Sequence, residues 1–178
     1  ELASQQTESE FIIRVTGDCP LIDPQLIDEA INIFKQNSYD YLSNSIDETY
    51  PDGLDIEIFT KQSLIQANKE CKDNYEREHV TPWIKNNKNF RIGSISNPIN
   101  YGNFRWTVDE PEDLEVIRRI IHYFGNRYNF TWKEIIELNI KNPDIFKANL
   151  KFRRNEGAKM NKGQKLWKRA KRVIPGGN

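Results

Sequence analysis

The stretch FIIRVTGDCPLIDPQ, residues 11–25, decides how the fold begins. Its first part, residues 11–16, is an apolar run that predicts a buried strand, and Asp18 follows this run almost at once. Asp23 and Pro24 then predict the start of a helix, because aspartate is a preferred N-cap and proline is tolerated at the first helical position. The pattern therefore predicts a carboxylate fixed at the end of a buried strand, just before a helix begins.

Strand-like and helix-like segments continue to alternate along the chain. Ile27, Ala30, Ile31 and Phe34 have the spacing of a helix that lies on a sheet. Further strands are predicted at 39–43, 54–60, 90–96 and 104–108, and further helices at 61–69, 75–86, 111–124 and 131–138. Such alternation favours an α/β fold with a mixed, mostly parallel sheet flanked by helices.

Three of these segments carry more detailed patterns. Thr131 and Glu134 form a capping-box signature, which marks the start of the last helix. Residues 54–60 predict a half-buried strand whose second face carries two carboxylates; the apolar face is Leu54, Ile56 and Ile58, and the second is Asp55, Glu57 and Phe59. The positions predicted to point inward from helix 111–124 are Leu114, Ile117, Ile121 and Phe124.

The composition is that of a globular protein. The 178 residues are 37% hydrophobic and 29% charged, and no apolar run approaches the roughly 18 residues of a membrane span. The two cysteines, Cys19 and Cys71, lack the spacing of metal ligands and do not suggest a disulfide framework. These features predict a cytoplasmic protein without a membrane partner.

Charge is distributed unevenly along the chain. Residues 151–178 contain ten Lys or Arg and one acid, a net charge of +9, which balances −9 in the remainder. Such a tail could be a nucleic-acid arm or a solvated linker with an exposed helix. The second interpretation is favoured, because no aromatic stacking platform accompanies the charge, so nucleic acid is not the expected partner.

Two acids occupy equivalent positions, each after a predicted strand and before a helix. Asp18 follows residues 11–16, and Asp109 follows residues 104–108. Ligands of open α/β sheets bind at the carboxyl ends of strands, and Mg²⁺ takes one or two carboxylates together with water and phosphate oxygens. The alternative is that both acids merely cap helices. This alternative is weaker for Asp18 than for Asp109, because Asp23 is better placed than Asp18 to cap the first helix.

Two further clusters contain polar residues that could bind a substrate. Asp52, Gly53, Asp55 and Glu57 could hydrogen-bond sugar hydroxyls, or they could form a plain solvated face. The segment EREHVTPW, residues 76–83, contains His79, and a lone histidine in a charged helix is more often structural than catalytic.

Five ordered motifs together resemble one family. RVTGDCPLIDP, YPDGLDIEIF, REHVTPW, RWTVDEPEDL and NPDIFKANLKFRRNEG occur in this order. They resemble cytidylyltransferases like the F protein of spore coat polysaccharide biosynthesis, which are relatives of the acylneuraminate and Kdo cytidylyltransferases. The resemblance implies a nucleotide-diphospho-sugar transferase (Rossmann-like) fold that binds CTP and a sugar or sugar acid, with Mg²⁺ as cofactor.

The resemblance also implies roles for particular residues. Asp18 and Asp109 match the family's two metal-side aspartates and are the predicted catalytic and metal-binding residues. Two other motifs match segments at the substrate cleft, and the predicted substrate-binding residues are Asp52, Gly53, Asp55, Glu57, Arg77, Glu78 and His79.

One part of the family pattern has no counterpart in this sequence. Nothing before Phe11 can supply the family's nucleotide-binding loop, so residues 1–157 are expected to be the C-terminal portion of a cytidylyltransferase domain, inactive alone. Residues 158–178 are a basic linker and resemble the start of glutamate-1-semialdehyde aminomutase-type aminotransferases. Pyridoxal phosphate would be a cofactor only if a longer protein continues into such a domain.

The residues leave other interpretations open. A metal-dependent glycosyltransferase of related fold would use similar acids, although no D-x-D pair follows an apolar strand. A non-catalytic binding module with a basic tail is the third class. The sequence is compatible with a homodimer and does not identify the sugar.

Overall fold

The computed structural model describes residues 7–154, and the predicted basic segment 158–178 lies outside them. The strands are β1 Phe11–Arg14, β2 Tyr41–Ser43, β3 Glu57–Thr60 and β4 Ile92–Ser94. The helices are α1 Pro24–Asn37, α2 Lys61–Glu70, α3 Asn74–His79, α4 Pro82–Asn86, α5 Pro111–Phe124 and α6 Trp132–Lys141, followed by a 3-10 helix at Pro143–Asn149. None of the helices within this part of the chain is long and apolar enough to cross a membrane.

The four strands of the described residues form one mixed sheet in the order β1-β3-β2-β4. Strand β3 runs antiparallel to both of its neighbours, whereas β4 pairs in parallel with β2, so β1, β2 and β4 share one direction. The register places Arg14 and Ser43 on either side of Glu57. The predicted α/β class with a mixed sheet flanked by helices is confirmed, although only one of the three strand pairings in residues 7–154 is parallel, because β3 lies between β1 and β2 and runs against both.

Helices cover both faces of the sheet. Leu42 and Ile58 belong to the larger core, which also contains buried residues of α1, α5 and α6. The alternate positions Tyr41 and Phe59 face a smaller core with residues of α2 and α4. The prediction that only one face of this strand is buried is therefore wrong at Phe59, which is 2% exposed because a second helical layer covers its face.

The first strand is less buried than its apolar sequence predicts. Ile13 and Val15 are exposed, and the strand itself ends at Arg14. The reason is the position of β1 at one end of the strand order, where it pairs with β3 on one side. Phe11 still packs against the larger core, so one end of the strand is anchored.

Local capping interactions begin two of the helices as the sequence predicts. Asp23 accepts a hydrogen bond from the Gln25 backbone N–H at 2.8 Å and starts α1. Its second carboxylate oxygen accepts one from the Trp132 N–H at 2.9 Å, at the start of α6. The Glu134 carboxylate accepts from the Thr131 N–H at 2.8 Å, which confirms the capping box.

The predicted helix 75–86 is instead two short helices separated at Val80. Val80 has φ 70° and ψ −53°, and the Thr81 N–H donates to the His79 carbonyl at 2.8 Å. This is a γ-turn of the rarer, strained kind. Pro82 has no N–H with which to continue the first helix, so a new helix starts there.

The predicted strand 104–108 forms no regular ladder, and α5 turns a different face inward. Segment 104–108 contributes an isolated parallel pairing of Arg105 with Asp52. On α5, Leu114 and Ile121 are exposed rather than buried. The physical reason is Asp113, which points inward to reach its partners and so sets the buried face; the other buried positions are Val116, Ile117 and Ile120.

Candidate functional site

The turns that contain the two predicted metal ligands lie against each other. The carbonyl oxygen of Asp18 accepts hydrogen bonds from the Val108 N–H at 2.8 Å and from the Thr107 hydroxyl at 3.2 Å. The backbone just before Asp109 is therefore fixed to Asp18. Asp18 is partly exposed, and the Asp109 side chain is 45% exposed, so both residues are accessible to a ligand.

Neither of these acids is the N-cap of the helix that follows it. Asp23 occupies that position for α1, and Glu110 occupies it for α5. The carboxylate of Asp109 instead accepts a hydrogen bond from Arg105 at 2.7 Å. The capping alternative raised by the sequence therefore does not account for either aspartate.

Arg105 joins three carboxylates at the centre of the site. Its guanidinium donates to Asp113 through two nitrogens, at 2.9 and 2.8 Å, and to Asp52 at 3.1 Å, besides Asp109. The Arg105 side chain is only 8% exposed. The bidentate pairing with Asp113 fixes the direction of that carboxylate as well as neutralising its charge.

Asp113 is the buried anchor of this arrangement. Its side chain also accepts hydrogen bonds from the Asn149 amide at 2.9 Å and from the N–H groups of Asp109 and Glu110 at 3.1 and 3.0 Å. Burial alone would raise the pKa of Asp113, but the hydrogen bonds from Arg105, Asn149 and the backbone outweigh it and lower the pKa. Asp113 is therefore held as a carboxylate.

The loop that contains Asp52 and Gly53 lies directly on segment 104–108. The Asp52 N–H donates to the Phe104 carbonyl at 2.9 Å, and the Trp106 N–H donates to the Asp52 carbonyl at 2.6 Å. Gly53 has φ 104°, and a Cβ at this position would lie 2.5 Å from the backbone nitrogen of Thr107. Glycine permits this close approach because it has no Cβ.

A second arginine, Arg154, reaches the same loop from the end of the described chain. Its Nη2 is 2.5 Å from Asp55 Oδ1, and its Nε is 3.5 Å from Glu48 and 4.0 Å from Asp52. We call the following set the acid cluster: Asp52, Asp55, Asp109, Asp113, Arg105 and Arg154. It brings together predicted residues from two separate motifs.

Burial perturbs two carboxyl groups of the acid cluster. Burial is the main cause that raises the pKa of Asp52 to about 6, against the opposing effect of Arg154 and Arg105. Burial likewise raises the pKa of Asp55, and Arg154 opposes this shift too. Carboxylates in such a setting have lost part of their hydration, so a hydrogen-bonding ligand stabilises them.

Glu57 lies on the sheet and cross-links several elements. One carboxylate oxygen accepts hydrogen bonds from the Tyr41 and Thr81 hydroxyls, both at 2.6 Å, and the other pairs with Arg14. Burial is the largest of the causes that raise the pKa of Tyr41, followed by the charge of Glu57. Glu57 thus ties β1 and β2 to the turn before α4, and its sugar contact stays a prediction.

The predicted residues Arg77, Glu78 and His79 lie on α3. Arg77 donates to the carbonyl oxygens of Asn68 and Cys71 at 3.2 and 3.1 Å, which closes the end of α2. The His79 ring packs on Tyr75 at 4.3 Å, and Glu78 is exposed. The contacts of this motif therefore run to α2 and within α3 rather than to the acid cluster. Arg77 also lines a cleft of about 130 Å³ with Leu64, Ala67, Asn68, Cys71, Glu76 and Val80.

Sequence reasoning missed three members of the acid cluster: Arg105, Asp113 and Arg154. A signal for Arg105 existed, because a charged residue inside the apolar run FRWTV needs a buried partner. No comparable local signal marks Arg154, whose partner Asp55 is 99 residues away.

The chemistry of the two acids at the turns fits a hard divalent cation. Within residues 7–154, no group of three or more His, Cys, Asp or Glu side chains is arranged to hold a metal ion. A pair of accessible carboxylates remains in Asp18 and Asp109. Mg²⁺ is commonly bound by one or two carboxylates and completes its shell with water and phosphate oxygens, so this pair is a suitable protein contribution.

Comparison with known proteins identifies the family. The cytidylyltransferase family profile matches residues 1–157. The chain is 33% identical over 154 residues to the uncharacterized protein MJ1063 of Methanocaldococcus jannaschii, a match that covers 85% of this chain and 62% of the relative. It is 34% identical over 147 residues to the spore coat polysaccharide biosynthesis protein SpsF of Bacillus subtilis, a match that covers 79% and 59%.

A solved structure agrees with these sequence matches. A cytidylyltransferase from Leptospira borgpetersenii superposes with a TM-score of 0.77 at 35% identity, covering 81% of this chain and 61% of that one. The chain thus spans about three fifths of the length of the relatives it matches. Because the family profile, the relatives and the solved structure agree, the chain belongs to the cytidylyltransferase family.

Proposed function

We propose that this chain forms part of a nucleotidyltransferase that activates a sugar with CTP and releases pyrophosphate, in surface polysaccharide biosynthesis. The sugar is proposed to be a nonulosonic or related sugar acid. The single observation that carries the proposal is the contact between the two acid-bearing turns, in which the Asp18 carbonyl accepts from Val108 and Thr107. The family membership supports the reaction class, and the name of the SpsF relative supports a place in polysaccharide biosynthesis.

In the proposed reaction, a sugar hydroxyl oxygen attacks the α-phosphorus of CTP, and the hydroxyl proton passes to water. The new oxygen–phosphorus bond forms as the bond to pyrophosphate breaks, and pyrophosphate leaves with the bonding electron pair. Asp18 and Asp109 would hold Mg²⁺, which when bound neutralises charge on the phosphate oxygens. Arg105 holds the carboxylate of Asp109 at the surface of the site, and Asp52 and Asp55 are proposed to accept hydrogen bonds from sugar hydroxyls.

The charge of the acid cluster supports a role for a cation. The cluster contains four carboxyl groups and two guanidinium groups, and Asp18 adds a further carboxylate on the adjoining turn. A triphosphate that approaches this negative surface would be repelled. Asp18 and Asp109 would hold a divalent cation, whose positive charge would offset that repulsion.

The test is pyrophosphate release by the complete protein that contains this chain, with Mg²⁺ and CTP, with and without a nonulosonic acid. We expect sugar-dependent release that falls by about 10²-fold or more in Asp18→Asn and in Asp109→Asn, the scale of losing one key electrostatic group. The matched control is Asp144→Asn, a change at an exposed carboxylate of the 3-10 helix. Near-normal turnover in both site variants would contradict the metal assignment.

A further inference from the structure

Asp55 depends on a residue that comes from far along the chain. Its carboxylate lies on the loop before β3 and pairs with Arg154, 99 residues later. The neighbouring carboxylate of Asp52 lies between Arg105 and Arg154. Two carboxylates on one loop repel each other when both are ionised, so their orientation depends on the guanidinium groups that separate them.

Each nitrogen of the Arg154 guanidinium group faces a partner. Nη2 contacts Asp55, Nη1 donates to the Tyr50 carbonyl at 3.2 Å, and Nε faces Glu48 and Asp52. The Arg154 side chain is 10% exposed. A lysine ammonium is a compact point charge and cannot span these groups at once, whereas the planar fork of arginine can.

The residues just before Arg154 contact other members of the acid cluster. The Arg153 carbonyl accepts a hydrogen bond from Arg105 Nη1 at 3.4 Å, and the Phe152 ring lies 5.9 Å from the Arg105 guanidinium carbon. Just before it, Asn149 is 3% exposed and donates to both the Arg105 carbonyl and Asp113. Arg154 therefore reaches Asp55 from an anchored backbone.

We infer that Arg154 is a positioning residue for the sugar: it holds the Asp52 and Asp55 carboxylates in the orientation that accepts sugar hydroxyls, and so makes the segment after the 3-10 helix part of the substrate site. This inference rests on the proposed function. Loss of Arg154 leaves the chemistry at Asp18 and Asp109 in place, because its contacts run to the loop of residues 48–55 instead. Loss of Arg154 should therefore weaken binding of the sugar and leave binding of CTP unchanged.

The kinetic test compares Arg154→Gln and Arg154→Lys in the complete protein, with Arg119→Gln as the matched control on the outer surface of α5, where the Arg119 side chain is 45% exposed. We expect Arg154→Gln to raise KM for the sugar acid about tenfold or more and to change KM for CTP and kcat less than about twofold. Arg154→Lys should recover part of the loss. An unchanged sugar KM in Arg154→Gln, or an equal rise in both KM values, would overturn the inference.

A second measurement separates this inference from the proposed function. Carboxyl ¹³C NMR would follow the titration midpoints of Asp52 and Asp55 in the unmodified protein and in both variants. Because Arg154 lowers the pKa of both groups, Arg154→Gln should move both midpoints upward. If Arg154→Gln does not fold, the titration midpoint of Asp55 is compared between Arg154→Lys and the unmodified protein. An unchanged midpoint in Arg154→Lys would overturn the positioning role. Absence of pyrophosphate release in the unmodified protein would instead count against the proposed function.

Discussion

Replacing Gly53 with alanine would put a methyl group against the backbone of segment 104–108. The Cβ would lie 2.5 Å from the carbonyl carbon of Trp106 and 2.5 Å from the nitrogen of Thr107. These are backbone atoms, so rotation of a side chain cannot relieve the contact. The φ of 104° is a further cost, because residues with a Cβ rarely adopt it.

The expected loss of stability follows from these two causes. A positive φ costs an L-residue about 1–2 kcal/mol, and forcing an extra methyl group into a packed site costs about 1–3 kcal/mol. Together they predict a fall of about 2–5 kcal/mol in the free energy of unfolding. With a slope of about 2 kcal/mol per molar urea, the unfolding midpoint should fall by roughly 1–2.5 M.

The assay is urea unfolding followed by circular dichroism, with Gly17→Ala as the matched control. A Cβ at Gly17 would meet no atom within 4 Å, and its φ lies outside the left-handed region. We therefore expect Gly17→Ala to be neutral or to stabilise the chain by up to about 1 kcal/mol. Equal midpoints for the two variants would refute the close approach of the Gly53 loop to segment 104–108.

Three further predictions concern Asp113, Val80 and Asp52. Asp113→Asn should lower the free energy of unfolding by about 3–5 kcal/mol, measured by urea unfolding, because it breaks a buried ion pair with Arg105. Val80→Gly should raise the melting temperature by a few degrees, because it removes strain of about 1–3 kcal/mol at the γ-turn, which outweighs the roughly 0.5–1 kcal/mol lost to the greater freedom of glycine in the unfolded chain; a lower melting temperature would show that the turn is not strained. For Asp52, the pKa in the fold is about 6 and its ordinary value is 3.8, so its ionisation destabilises the fold. The stability of the unmodified chain relative to Asp52→Asn should therefore fall by up to about 3 kcal/mol as pH rises from about 4 to 6, and a difference that is flat with pH would contradict this.

Local signals make the starts of helices predictable. Asp23 and the pair Thr131 and Glu134 act on backbone groups within three residues, so the pattern that reveals them is contained in a few letters. The apolar character of segment 104–108 is also a correct guide to burial, since Trp106 is fully buried. The segment is not a regular strand because its N–H groups donate to the Asp52 and Asp18 carbonyls on two different loops.

The sequence predicts some of the acidic residues of the candidate site, although not the buried Asp113. Asp18, Asp52, Asp55 and Asp109 stand out in the sequence because each follows or interrupts an apolar pattern. Arg105 is visible as a charged residue inside an apolar run, but its partner Asp52 is not identifiable, since the two are 53 residues apart and the fold alone brings them together. Pairing over such distances depends on tertiary packing, and no short window of sequence contains it.

The double role of Asp23 has a consequence for the order in which the chain folds. One carboxylate oxygen serves α1 two residues away, whereas the other serves α6, 109 residues away. The first bond can form as soon as α1 nucleates, but the second requires closure of a long loop and its entropy cost. The first turn of α6 should therefore acquire its protection from hydrogen exchange together with the global fold, as one cooperative unit with the start of α1.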